Sequence, residues 1–250
     1  MISDFLAAVA FLTRLPVGRW LAFDAKQVAR SQRWFPLVGA LLGGIYAGVL
    51  WLCAPYFPAL VAAVLLAALD AWLTGAMHLD GLADTADGFG GGSSREDVLR
   101  IMRDHAIGAY GAVAVVLAIT LKTAAVAALI GFGRAIPTVV AAVALSRWSA
   151  VLLSATQPYA RPIAADGRLT AGAPARFVGR AELWIATVSA AAIAALCGGR
   201  RGIAACVLVA IAGALWGWRC RRRIGGVTGD TLGAGIVAAE CLVLLLFTAR

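Results

Sequence analysis

Apolar residues in this chain run in long blocks with little polar alternation. Seven blocks reach or approach the about 20 residues that an α-helix needs to cross a bilayer: roughly 37–55, 59–77, 108–131, 138–155, 183–199, 202–218 and 231–249. Residues 183–218 are equally compatible with a helical hairpin or a single broken unit. An earlier block, ISDFLAAVAFLT, is only about 12 residues long and stops at RLP, which predicts an interfacial or re-entrant helix. No repeat or low-complexity tail interrupts the series. The pattern predicts an all-α, polytopic membrane bundle of about seven transmembrane helices plus the N-terminal helix, in one domain over residues 1–250.

Composition supports this reading. Of the 250 residues 62% are hydrophobic and 14% charged, whereas soluble domains are closer to half and a quarter. The formal charge of +9 invites a nucleic-acid partner, but the basic residues form no patch interleaved with aromatics. They fall instead between apolar blocks, as the positive-inside bias requires. With the N-terminus inside, sixteen Lys and Arg lie in cytoplasmic segments and four outside. Cytoplasmic loops are therefore expected at 78–107, 156–182 and 219–230, with Arg221–Arg223 a topology signal or, alternatively, a ligand contact. Asp4 stands where a cleavable leader would be basic, so none is expected. Five cysteines without a CxxC pair read as small core residues.

Against this background the acid is concentrated at one place. Asp80, Asp84 and Asp87 are spaced i, i+4, i+7, and no Lys or Arg occurs between residues 34 and 94. If the second span continues past the bilayer surface, the three carboxylates share one helical face. Like charges at that spacing repel, and a divalent cation removes the penalty. Mg²⁺ suits such a site, because it takes a few carboxylates and leaves other positions to water and phosphate. A solvated acidic helix end is the plainer alternative. The loop beyond looks ordered: in SSREDVLRIMRDH, Ser93 and Ser94 stand three residues before Glu96 and Asp97, a capping-box spacing. The preceding GFGGGSS is expected to supply a bend.

Further candidates follow. Asp104, flanked by Arg103 and His105, must return to the same membrane surface, unless it simply ends a helix. Asp230, in the run Thr228–Thr231, is either a fifth acidic ligand or an ordinary cap. Asp70, Lys122, Arg147 and Glu240 fall inside apolar blocks, where charges face a bundle interior. Lys122 and Arg147 either bind substrate phosphates or pair internally, for example Lys122 with Glu240. His78 is expected to hydrogen-bond near the acids, since Mg²⁺ prefers oxygen. No P-loop, zinc-protease, serine-hydrolase or dinucleotide pattern is present. What remains is metal-held phosphate chemistry at a membrane surface.

HLDGLADTADG at 78–88, together with FLTRLP, FPLVG, RDHAIGAYG and GDTLGA in order along the chain, resembles the cobalamin synthase family, the adenosylcobinamide-GDP ribazoletransferases. The resemblance implies a Mg²⁺-dependent transferase in a bacterial inner membrane, with its site facing the cytoplasm. It implies adenosylcobinamide-GDP and α-ribazole or its 5′-phosphate as substrates, and GMP with the cobalamin as products. Asp80, Asp84, Asp87, Asp104 and Asp230 would then be metal ligands. Asp87 or Asp104 would accept the proton of the attacking ribose hydroxyl, and Lys122, Arg147, Arg103 and His78 would contact substrate. A homo-oligomer is compatible with all of this. Competing readings are a CDP-alcohol phosphotransferase, whose arginine-bearing continuation is missing here, a prenyltransferase and a transporter. A transporter would keep its acids at mid-membrane, whereas the dense cluster here is at the surface.

Overall fold

The computed structural model describes residues 1–19, 24–161 and 177–249. Among these, helices follow one another with no strand beyond a single bridge between Tyr159 and Val227. They are α1 (Ile2–Leu12), α2 (Ala25–Ser31), α3 (Phe35–Cys53), α4 (Ala59–Thr74) and α5 (Met77–Gly91). There follow α6 (Arg95–Ile101), α7 (Ala109–Gly131), α8 (Ala135–Thr156), α9 (Arg180–Ile224) and α10 (Gly229–Thr248). Each apolar block became a helix within a few residues of its expected limits. Most of the expected loop 156–182 lies outside the described residues.

Five helical stretches are long and apolar enough to cross a membrane: Ala25–Cys53, α7, α8, α9 and α10. The pair α4–α5 qualifies only as a bent unit, with 89° between its halves. The protein is thus a multi-pass membrane protein. Helix α8 is apolar on nearly every side and accordingly forms the core, packed against α3, α9 and α10. Its contact with α3 runs through Gly39 and Gly43: a Cβ at these positions would lie 2.6 Å from the Val143 carbonyl oxygen and 2.7 Å from the Val140 Cα. Small residues four apart let two helix backbones approach closely, which drives association inside lipid. Gly44 faces open space. Gly43→Leu is therefore expected to lower stability by about 1–3 kcal/mol, read as a lower thermal unfolding temperature in detergent, whereas Gly44→Leu leaves it unchanged.

Helix α9 is 45 residues long but is not one rod. Gly199 sits at φ 53, ψ −128, a conformation that other residues rarely adopt. A Cβ on Gly202 would fall 1.8 Å from the Ala194 carbonyl oxygen, a contact that a straight helix forbids at eight residues' separation. The chain reverses there, giving arms 180–198 and 200–224, the hairpin that was one of the alternatives above. Gly198 meets Phe247, near the end of α10, so the reversal lies at the end of the bundle opposite the start of α10.

The acidic segment departs from expectation. It does not prolong α4, because Gly75 (φ 66) and Ala76 (φ 56) both adopt the left-handed conformation and end that helix. Arg14 stabilises the break, its backbone N–H donating to the Leu73 carbonyl at 2.7 Å. GFGGGSS does supply the expected bend, but only at its end, because α5 continues to Gly91. Gly88 and Gly90 are instead packing positions, where a Cβ would strike Met102 at 2.5 Å and the Tyr110 ring at 2.6 Å. The bend comes at Gly92 and Ser93, after which Ser94 caps α6 by accepting from the Asp97 N–H at 3.1 Å.

Candidate active site

Helix ends gather at one end of the bundle. α10 begins with Thr228 as its cap, the hydroxyl accepting from Thr231 N–H at 3.3 Å while the Thr231 hydroxyl accepts from Thr228 N–H at 2.8 Å. This reciprocal pair satisfies the helix start and leaves the Asp230 carboxylate for other partners. Asp230 accepts from Arg161 at 2.7 Å and from the Thr228 hydroxyl at 3.3 Å. Helix α5 lies against this turn at Gly81, where a Cβ would come 2.8 Å from the Asp230 carbonyl oxygen. Three arginines fasten the layer. Arg95 donates to the carbonyls of Ile224 at 2.8 Å and Ala160 at 3.0 Å. Arg223 donates to the carbonyls of Phe89 and Gly92 at 2.9 and 2.8 Å, where orphan acceptors end α5. Arg161 joins Asp230 and the Met102 carbonyl.

Asp84, on α5 outside the crossing helices, faces Asp230, Asp80 and Asp87, opposed by Arg161. Burial first, and then the Asp230 and Asp80 carboxylates, push its carboxyl up to about 6. Asp80 is exposed and lines a cleft together with Asp230. Asp87 is engaged differently: its two oxygens accept from the N–H groups of Gly108 at 2.7 Å and Gly111 at 2.9 Å. It thus caps α7 across the fold, a favourable place for a negative charge. Asp104 is exposed on the connection from α6 to α7, one oxygen accepting from Ala106 N–H at 3.1 Å. Gly108 is four positions further on, so Asp104 stays within about 14 Å of the residue that binds Asp87. Arg103 beside it is exposed.

Among the described residues no three carboxylate, imidazole or thiolate groups are arranged to hold a metal ion by themselves. The donor set nevertheless suits Mg²⁺, which binds through one or two carboxylates and completes its shell with water and phosphate rather than an all-protein cage.

Lys122 and Arg147 are not in this layer. With Asp70 and Glu240 they form a buried quartet between α4, α7, α8 and α10. Lys122 lies 2.9 Å from Asp70 and 2.7 Å from Glu240; Arg147 lies 3.0 Å from Glu240 and 3.7 Å from Asp70. Tyr46 donates to Asp70 at 2.8 Å, and Ser146 accepts from Arg147 at 3.0 Å. Two cations and two anions cancel, so internal pairing is the arrangement present.

The cleft beside Asp80 and Asp230 has a volume of about 240 Å³ and lies between α1, α3, α5, α8 and α10. His78 lines it, buried, as do Gln32 and Ser154. Neither Gln32 nor Ser154 stands out in the sequence, since neither belongs to a motif. Arg161 and Arg95 were legible only as cytoplasmic charge, and Arg223 as that or a ligand contact.

Fold and site together define a multi-pass helical membrane protein that holds a carboxylate cluster and a ligand-sized cleft at one end of its bundle. The family model for cobalamin-5-phosphate synthase matches residues 4–248, and the chain belongs to that family. Similar proteins include the adenosylcobinamide-GDP ribazoletransferase of Ralstonia nicotianae, 42% identical over 97% of this chain and 93% of that protein. Those of Leptothrix cholodnii (40%, covering 96% and 93%) and Syntrophobacter fumaroxidans (40%, covering 98% and 97%) carry the same name. No solved structure matches this chain.

Proposed function

We propose that this chain performs the reaction for which its relatives are named. The phosphocobinamide group of adenosylcobinamide-GDP passes to α-ribazole or its 5′-phosphate, with release of GMP. This is the nucleotide-loop assembly step of cobalamin biosynthesis. The observation that carries the reading is a family match over almost the whole chain, joined to an acidic cluster next to a cleft.

A ribose hydroxyl of the acceptor forms a new O–P bond at the phosphorus bearing cobinamide, and the P–O bond to GMP breaks. Asp80 and Asp84, with Asp230 beside them, are the proposed holders of Mg²⁺, which when bound neutralises the diphosphate and the departing GMP. The hydroxyl proton passes to a carboxylate. Asp104, exposed and holding a single local hydrogen bond, is better placed for that than Asp87, whose two oxygens already serve α7. Arg103 is proposed to meet substrate phosphate from the same loop. The site is proposed to face the cytoplasm from a bacterial inner membrane, since Arg95, Arg161 and Arg223 all lie at its end of the bundle. Counting the two arms of α9 as separate crossings, and α4 alone as the crossing of the bent pair, brings the spans to seven.

The purified protein is to be given adenosylcobinamide-GDP, CDP-diacylglycerol and a prenyl diphosphate in turn, each with its acceptor. GMP release with the first donor alone, dependent on added Mg²⁺, is the expected result. Turnover only with either of the others replaces this reading by a CDP-alcohol phosphotransferase or a prenyltransferase.

A further inference from the structure

The cleft next to Asp80 and Asp230 has features that the acidic layer does not account for. Three polar atoms among its lining side chains are buried without a hydrogen-bond partner: Gln32 Oε1, His78 Nε2 and Ser154 Oγ. Their residues are 3%, 7% and 5% exposed. Orphaned buried polar groups are uncommon, and each costs about 1–3 kcal/mol. Three on one cavity point to a ligand that completes them. Apart from the Asp80 and Asp230 carboxylates, the remaining wall is mostly apolar and includes Phe11 and Phe35, whose rings stack at 5.7 Å with 22° between their planes.

We infer that this cleft is the subsite for the aromatic base of the acceptor, a benzimidazole-type riboside, with Gln32, His78 and Ser154 as its recognition residues. The inference rests on the proposed reaction. At about 240 Å³ the cleft falls just below the about 300–1,000 Å³ of sites that enclose drug-sized molecules. It takes a fused two-ring base and not a corrin macrocycle. Guanine is the other flat base in the reaction, but the donors along its edge call for carboxylate acceptors, and the two carboxylates that line this cleft, Asp80 and Asp230, are the proposed holders of Mg²⁺. A benzimidazole riboside presents a single ring nitrogen, which accepts from Ser154 or His78, and ribose hydroxyls, one of which donates to Gln32 Oε1 while another bonds to whichever of Ser154 and His78 the ring nitrogen leaves free. The flat hydrocarbon of its base lies against Phe11 and Phe35. Seated there, its ribose emerges beside Asp80 and Asp230, where the diphosphate is proposed to be held.

The test uses the full-length protein in nanodiscs, with Ser154→Val and Gln32→Leu. Steady-state kinetics with each substrate varied are combined with calorimetric titration of the benzimidazole riboside alone. Each variant is expected to raise the KM and Kd for the riboside about tenfold, with the KM for adenosylcobinamide-GDP changed less than about twofold. Unchanged riboside KM and Kd in both variants overturn the subsite while leaving the reaction in place. A rise confined to the KM of adenosylcobinamide-GDP also overturns it and gives the cleft to the donor. Should the wild type release no GMP at all, the proposed reaction fails; the titration then decides the subsite by itself, since riboside binding weakened in both variants supports it and equal or absent binding sinks it.

Discussion

Asp84→Asn abolishes GMP release, by about 10³-fold or more, yet leaves the protein folded in the membrane and no less stable. The size follows from losing preorganised charge where the diphosphate is proposed to bind, since one electrostatic contact is worth about 10²–10³ in turnover, and the loss of a proposed metal ligand adds to it. The stability follows from repulsion. Asp84 sits among Asp80, Asp87 and Asp230 with Arg161 as the cation opposing them, so its charge opposes folding unless a cation is present. An amide of the same shape relieves that repulsion. Turnover assays paired with thermal unfolding in detergent check both halves. Full activity in this variant removes Asp84 from the metal site, and a lower unfolding temperature shows that its charge is structural.

Arg147→Met is expected to have the largest effect on stability. Its guanidinium is about 1% exposed and holds Glu240 at 3.0 Å. Removing one partner of a buried ion pair leaves an uncompensated charge, at a cost of about 3–5 kcal/mol. The variant should give little folded protein, measured by size-exclusion in detergent. Lys122→Met combined with Glu240→Gln removes one cation and one anion together and leaves Arg147 facing Asp70. That double variant is expected to recover most of the stability and to keep the wild-type KM for adenosylcobinamide-GDP. A raised KM in folded double variant would return Lys122 to the phosphate-binding role open to it from the sequence.

These two results separate charges that look alike in the sequence. Asp70 and Asp80 are acids ten residues apart, one inside an apolar block and one just beyond it, and Lys122 and Arg147 are both cations within such blocks. The spacing of Asp80, Asp84 and Asp87 announced the acidic face of a helix. It did not announce that Asp87 turns to the first amides of α7, because those amides belong to Gly108 and Gly111, more than twenty residues on. Asp230 was ambiguous as a cap; Thr228 takes the capping bond and settles which side chain is left for other partners. Gln32 and Ser154 were invisible, since Gln32 stands in a polar stretch between Ser31 and Arg33 and Ser154 is a single polar residue near the end of an apolar run, and neither position carries a periodic signal.

By itself the sequence determined the membrane environment, the helices and nearly all their limits, the acid-rich segment and the family, because apolar length and local spacing are properties of neighbouring residues. Tertiary structure alone decided where α4 stops, since the Leu73 carbonyl is met by the Arg14 amide from the far N-terminal segment. It also decided that α5 lies across the bundle against α10, that the buried charges close into a quartet, and that a cleft opens beside the acids. Each of these depends on partners distant in the chain, whose meeting is set by how helices pack and which backbone groups they leave to be satisfied.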